Sequence, residues 1–104
     1  MIVIFSSFTV DPSQRGQLDT KMAAFLAATA DQRRGASIYQ YLADPTDPAK
    51  VLVFQTWPDD NDFAVWSQQP AFTEFLDRAR ANEMITDATA VLLQGCTTAR
   101  DCPS

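Results

Sequence analysis

Apolar residues dominate the first ten positions and lie on both sides of an extended chain. Ile2, Ile4, Phe8 and Val10 fall on one side, Val3 and Phe5 on the other with Ser7 and Thr9. Two-residue alternation that is largely apolar on both faces describes a strand covered from two sides. Ser6 is the polar exception on the even-numbered face. Asp11-Pro12-Ser13-Gln14 has the order of a helix start, with Asp as cap, Pro in the first helical position and Gln three residues after the cap. Leu18, Met22, Phe25, Leu26 and Thr29 then recur at helical spacing, and Arg33-Arg34-Gly35 supplies basic residues and a glycine where that helix should stop. Ile38, Tyr39 and Tyr41 mark a second strand within 36–42, and Val51 to Trp57 a third. The acidic, proline-pinned stretch Asp44 to Pro48 is the hairpin loop between them. Pro58 to Asp62 offers acidic caps to a short helix carrying Phe63 and Trp66. Gln69-Pro70 breaks that helix and opens another, with Phe72, Phe75, Leu76 and Ala79 along one side. Alternation returns through Ile85, Thr89, Val91 and Leu93, so 84–94 is the last strand.

Strand, helix, strand, strand, helix, strand is the order of an α+β, ferredoxin-like β-α-β-β-α-β sandwich with four antiparallel strands and helices on one face. The 104 residues suffice for one domain, 1–95, followed by a polar tail, 96–104. The face opposite the helices carries Val3 and Phe5, too apolar for water, which predicts a homodimer packed sheet to sheet.

Composition narrows the function. A hydrophobic fraction of 46% excludes intrinsic disorder. A net charge of −5 argues against a nucleic-acid partner. The chain contains no histidine, which removes histidine-ligated zinc, proximal-histidine haem and Ser-His-Asp triads together. No segment approaches the roughly 18 apolar residues of a membrane span. Met1 to Phe5 lacks a basic flank and fits a buried strand better than a signal peptide. Without a secretion signal, Cys96 and Cys102 are expected as free thiols of a cytoplasmic protein. Asp59, Asp60, Asn61 and Asp62 lack the glycine and spaced carboxylates of a calcium loop and suit helix capping instead.

Gly35-Ala-Ser-Ile-Tyr39, the acidic hairpin, Val51 to Trp57, Phe63-Ala-Val-Trp66 and Pro70-Ala-Phe72 together resemble the antibiotic biosynthesis monooxygenase domain family, of the dimeric α+β barrel superfamily. The sharpest piece is Gln55-Thr56-Trp57, similar to the family's Glu-x-Trp at the end of the third strand. The resemblance implies a dimer with a pocket between sheet and helices, and oxygenation of aromatic substrates by dioxygen with no cofactor and no metal. Trp57 matches the pocket-lining tryptophan of polyketide anthrone oxygenases. Trp66 falls where the haem-degrading branch has a substrate-facing tryptophan, and Ser6 near that branch's first-strand asparagine. Haem degradation is not expected, because the position of the iron-ligating histidine falls near Leu76. The family's usual glutamate is here Gln55, which cannot accept a proton at neutral pH.

The expected catalytic residues are therefore Trp66, Trp57 and Gln55, and the expected substrate contacts Ser6, Tyr39, Tyr41, Phe63 and Phe72. Each also has a purely structural explanation. A tryptophan in a small core usually packs with its N–H satisfied, and buried phenols need partners wherever they occur. On the catalytic reading the substrate is a polycyclic phenol or anthrone oxidised to a quinone. The alternative is a non-catalytic binder of aromatic ligands, or an oxygen-independent cyclase or isomerase on the same fold. The oxygenase reading requires an aromatic-walled hollow beneath the helices.

Overall fold

In a computed structural model that describes residues 1–94, the alternating segments form strands β1 (Ile2–Val10), β2 (Ile38–Ala43), β3 (Lys50–Trp57) and β4 (Ile85–Gln94). The periodic segments form helices α1 (Arg15–Ala28), α2 (Asp60–Ser67) and α3 (Pro70–Ala81). Cys96, Cys102 and the 96–104 tail lie outside the described residues. The strands make one sheet in the order β2-β3-β1-β4, every neighbour antiparallel. This is the α+β, ferredoxin-like arrangement the element order predicts.

Register decides which side chains meet. Ile4 lies opposite Gln55 of β3 and Leu92 of β4. Because side chains alternate, Ile2 and Ile4 share the helix-covered face with Val51, Val53, Gln55 and Trp57, all of them buried. Tyr39 and Tyr41 extend that face onto β2 through their pairing with Gln55 and Val53.

The space under the helices holds two separate clusters. At one end Val10, Leu18, Val51, Ala79, Met84 and Ile85 pack with Phe8, Tyr41, Phe75 and Leu76. At the other, Ile2, Ile4, Trp57 and Trp66 pack with Phe25, Ala36, Tyr39, Phe63 and Phe72. Phe25 and Phe75 stack at 4.5 Å between ring centroids, joining the two ends.

Local chemistry explains the element boundaries. Asp11 accepts a hydrogen bond from the Ser13 backbone N–H at 2.9 Å and caps a 3₁₀ turn, Pro12–Gln14, that leads into α1. Helix α1 stops at Ala28, short of the Arg33-Arg34-Gly35 signal. The Thr29 hydroxyl donates to the Phe25 carbonyl at 2.7 Å and an Arg33 terminal nitrogen donates to that of Leu26 at 2.7 Å, while a second 3₁₀ turn, Ala30–Arg33, continues the chain. No described glycine has a positive φ, so Gly35 is not a left-handed cap. Asp59 begins α2 by accepting from the Asp62 N–H at 3.0 Å, and Pro70 occupies the first turn of α3.

The face away from the helices is uncovered within one chain. Phe5 and Phe54 pair there at 4.8 Å between ring centroids, with Ile38, Leu42, Val91 and Leu93 exposed around them. Among the described residues, no helix is long and apolar enough to cross a membrane.

Candidate active site

The aromatic cluster unites most of the residues singled out from the sequence. Trp57 comes from the end of β3, Tyr39 from β2, Phe63 and Trp66 from α2, and Phe72 from α3. Trp66 is central, its ring edge-on to Tyr39 at 5.7 Å, and tilted against Phe25 at 5.9 Å and Phe72 at 5.2 Å. Trp57 touches this group through Phe63, at 6.1 Å. Rings at such tilted and edge-on separations gain roughly 0.5–1.5 kcal/mol per pair beyond the area they bury.

The two indoles differ in their polar atoms. Trp57 is 1% exposed, and its Nε1–H donates to Gln55 Oε1 at 2.8 Å. Their two-residue spacing puts both side chains on one face of β3, so the amide secures the indole. Trp66 is 0% exposed, and its Nε1–H has no partner. It lies close to Tyr39 without reaching hydrogen-bond geometry. Nearly all buried polar groups are paired, and an unpaired one costs about 1–3 kcal/mol, so this N–H calls for an explanation.

Two expected contacts stand apart from the cluster. Ser6, half-buried, lies at the waist of the sheet opposite Val53 and Ala90. Tyr41 belongs to the aliphatic end, where its hydroxyl donates to Asp19 Oδ1 at 2.7 Å. Arg15 Nε donates to the same oxygen at 2.8 Å. Burial, and then Asp19, push the Tyr41 phenol well above its usual range. Burial likewise pushes Tyr39 up to about 12, against the opposing pull of Trp66 and the Arg33 guanidinium.

The sequence did not announce Arg33. Its guanidinium lies 4.7 Å from the centroid of the Tyr39 ring and 5.4 Å from that of Trp66, so a cation caps the aromatic cluster. Burial lowers its pKa, with Tyr39 opposing. The basic pair Arg33-Arg34 had the look of a helix end; the signal that distinguishes Arg33 is the placement of the aromatic rings, which only the fold supplies.

Where a hollow is expected beneath the helices, the two indoles and the phenyl rings of Phe25, Phe63 and Phe72 pack together. Open space flanks the cluster instead. A cleft of about 350 Å³ runs along Trp57 between Asp31, Arg34, Asp62 and Gln69. At the aliphatic end, a groove of about 310 Å³ lies between α1 and α3, lined by Leu18, Lys21, Phe75 and Arg78.

Residues 1–78 match the family model described as antibiotic biosynthesis monooxygenase. The chain belongs to that family. The antibiotic biosynthesis monooxygenase family was the one that Gln55-Thr56-Trp57 and its neighbours resembled. No curated protein sequence matches the chain significantly. Among solved structures, it is similar to an antibiotic biosynthesis monooxygenase with TM-score 0.79 and 18% identity, over 92% of this chain and 99% of the other. A Deinococcus radiodurans protein provisionally assigned the same activity aligns with TM-score 0.82 and 16% identity, over 94% and 95%. Rv0793 from Mycobacterium tuberculosis gives 0.74 and 16%, over 94% and 97%. At these identities the likeness establishes the fold.

Proposed function

We propose that this antibiotic biosynthesis monooxygenase family member is a cytoplasmic, homodimeric, cofactor-independent monooxygenase. Its substrate on this reading is a polycyclic anthrone- or phenol-type polyketide, oxidised to a quinone. The observation that carries the reading is the buried, unpartnered Trp66 N–H within a box of aromatic rings. A flat aromatic ligand bearing an oxygen would stack on those rings and accept that hydrogen bond. The hollow this reading requires is closed by the packed rings, and it opens only when α2, the eight-residue helix bearing Phe63 and Trp66, swings away from the sheet.

The chemistry asks little of the protein. A deprotonated anthrone transfers one electron to dioxygen, and the resulting carbon radical and superoxide combine to form a C–O bond. Cleavage of the O–O bond with loss of the remaining C–H proton releases water and leaves the quinone carbonyl. One substrate and one dioxygen thus yield one quinone and one water. The box contributes orientation, exclusion of water and stabilisation of the anion. Trp57, Phe63 and Phe72 hold the rings and Trp66 and Tyr39 the substrate oxygen, while Ser6 and Tyr41 stand farther along the sheet, outside the box. Gln55 acts by fixing the Trp57 indole.

A second reading, a non-catalytic aromatic-ligand binder or an oxygen-independent cyclase or isomerase, draws support from the same Gln55. Its acceptor oxygen is engaged by Trp57, and the phenol of Tyr39 is too weak an acid to serve as a base near neutrality. Oxygen uptake with dihydroxyanthrone in metal-free buffer separates the two. The oxygenase consumes one dioxygen per quinone formed, and Trp66→Phe lowers the rate by about tenfold or more, as removal of an oxyanion donor does. Quenching of tryptophan fluorescence by the anthrone, with no oxygen consumption above the buffer rate, would establish the binding reading instead.

A further inference from the structure

Arg33 ends the 3₁₀ turn between α1 and β2, and its donors are unevenly used. One terminal nitrogen donates to the Leu26 carbonyl at 2.7 Å and the other to Thr29 Oγ1 at 3.3 Å. Nε is buried and has no partner. These contacts fix the guanidinium to the end of α1 without neutralising it. The ion pair found among the described residues is Arg15 with Asp19, and Asp31 and Asp62, which line the flanking cleft, form none with Arg33. A half-buried cation faced by neutral carbonyl, hydroxyl and aromatic groups has lost hydration without gaining a counter-charge. Its contacts with the faces of Tyr39 and Trp66 return roughly 0.5–2 kcal/mol, less than a charge-assisted bidentate partner would add.

The second unpartnered donor of the cluster is Trp66 Nε1, and the guanidinium carbon stands 5.4 Å from the centroid of that same indole. Two buried N–H groups without acceptors therefore belong to side chains that touch, the charged guanidinium of Arg33 lying over the face of the Trp66 indole. We propose that Arg33 and Trp66 together bind the ionised oxygen of a fused-ring aromatic ligand, so that the protein selects aromatic anions over their neutral analogues. The inference rests on the reading of the box as a ligand site and specifies its ligand: ring atoms against Phe63 and Phe72, and an anionic oxygen toward Arg33 and Trp66. A guanidinium suits this task because it keeps its charge when desolvated and presents its N–H groups in a fixed plane.

Isothermal titration of the full chain with anthracene carboxylate and with anthracene methanol tests the proposal. The wild type should bind the carboxylate about tenfold tighter than the alcohol, and Arg33→Gln should abolish that preference while leaving the affinity for the alcohol within about twofold. Arg34→Gln, one residue along and exposed, should retain the preference, which separates a specific contact from general attraction. Arg33→Lys should retain part of it, since it keeps the charge and loses the planar donor. If Arg33→Gln does not fold, for want of the bond to Leu26, the wild-type ratio together with Arg33→Lys and Arg34→Gln decides. Equal wild-type affinities, or equal losses from Arg33→Gln and Arg34→Gln, overturn the anion site and leave the aromatic box standing. Failure of both compounds to bind overturns the anion site and the ligand reading of the box together.

Discussion

Tyr39 shows how a single side chain couples the core to the candidate chemistry. Its phenol packs edge-on against Trp66, lies under Arg33, and has its pKa pushed by burial from 10.0 to about 12. A raised phenol pKa means that folding favours the neutral form. That contribution to stability is complete below pH 10.0 and is lost as pH rises through about 12. Thermal melts between neutral and strongly alkaline pH should show a falling Tm across that window, and Tyr39→Phe should flatten the part of the slope that Tyr39 causes. Phenolate absorbance should remain low around pH 10.0, because Tyr41, the other tyrosine, is shifted upward too. A tyrosine titrating normally in the folded protein would contradict this burial. Trp57, Trp66, Phe63, Phe72 and Tyr39 were singled out together through the family resemblance, while strand alternation alone put Gln55 on one face with Trp57 and Tyr39 on one face with Tyr41. Tyr41 shares a strand face with Tyr39, but its distance from the aromatic end depends on where α1 places Asp19, which no local pattern encodes. The partnerless state of Trp66 and the position of Arg33 are likewise products of packing.

Among the elements, α2 stands out. It has eight residues, below the length at which a helix holds itself in water, so packing and capping sustain it. Asp59 supplies the cap, with Asp60 and Asp62 in the first turn where acidic groups favour the helix dipole. Asp59→Ala should therefore destabilise the protein by about 1 kcal/mol in denaturant titrations, and acrylamide should reach Trp66 more readily than in the wild type. Unchanged quenching alongside the lower stability would show that α2 does not gate the indole. The order of elements and most boundaries were evident in the chain, through Pro12, Asp59, Pro70 and the Asp44 to Pro48 turn. The early stop of α1 was not, because the Thr29 hydroxyl and the Arg33 side chain end the helix by hydrogen bonds that a basic pair followed by glycine does not reveal.

For the molecule as a whole, the apolar sheet face is the feature a single chain leaves unresolved. Phe5 is 41% exposed at its centre, beside Phe54 and Val91. A stable interface buries on the order of 800 Å² per partner, within reach of such a sheet. Sedimentation should give twice the chain mass for the wild type, and Phe5→Glu should shift it to the monomer by placing a desolvated charge in the interface. A monomeric wild type at micromolar concentration would leave that face to some other covering.

The division of the interior into an aliphatic end and an aromatic end has a bearing on how such a protein can change. Val10, Leu18, Val51 and Ile85 clamp one extremity of the sheet to its helices with saturated side chains that have no chemistry to perform. The ring-rich extremity is thereby free to be reshaped, loosened or refitted to a new guest while the fold is kept by its opposite half.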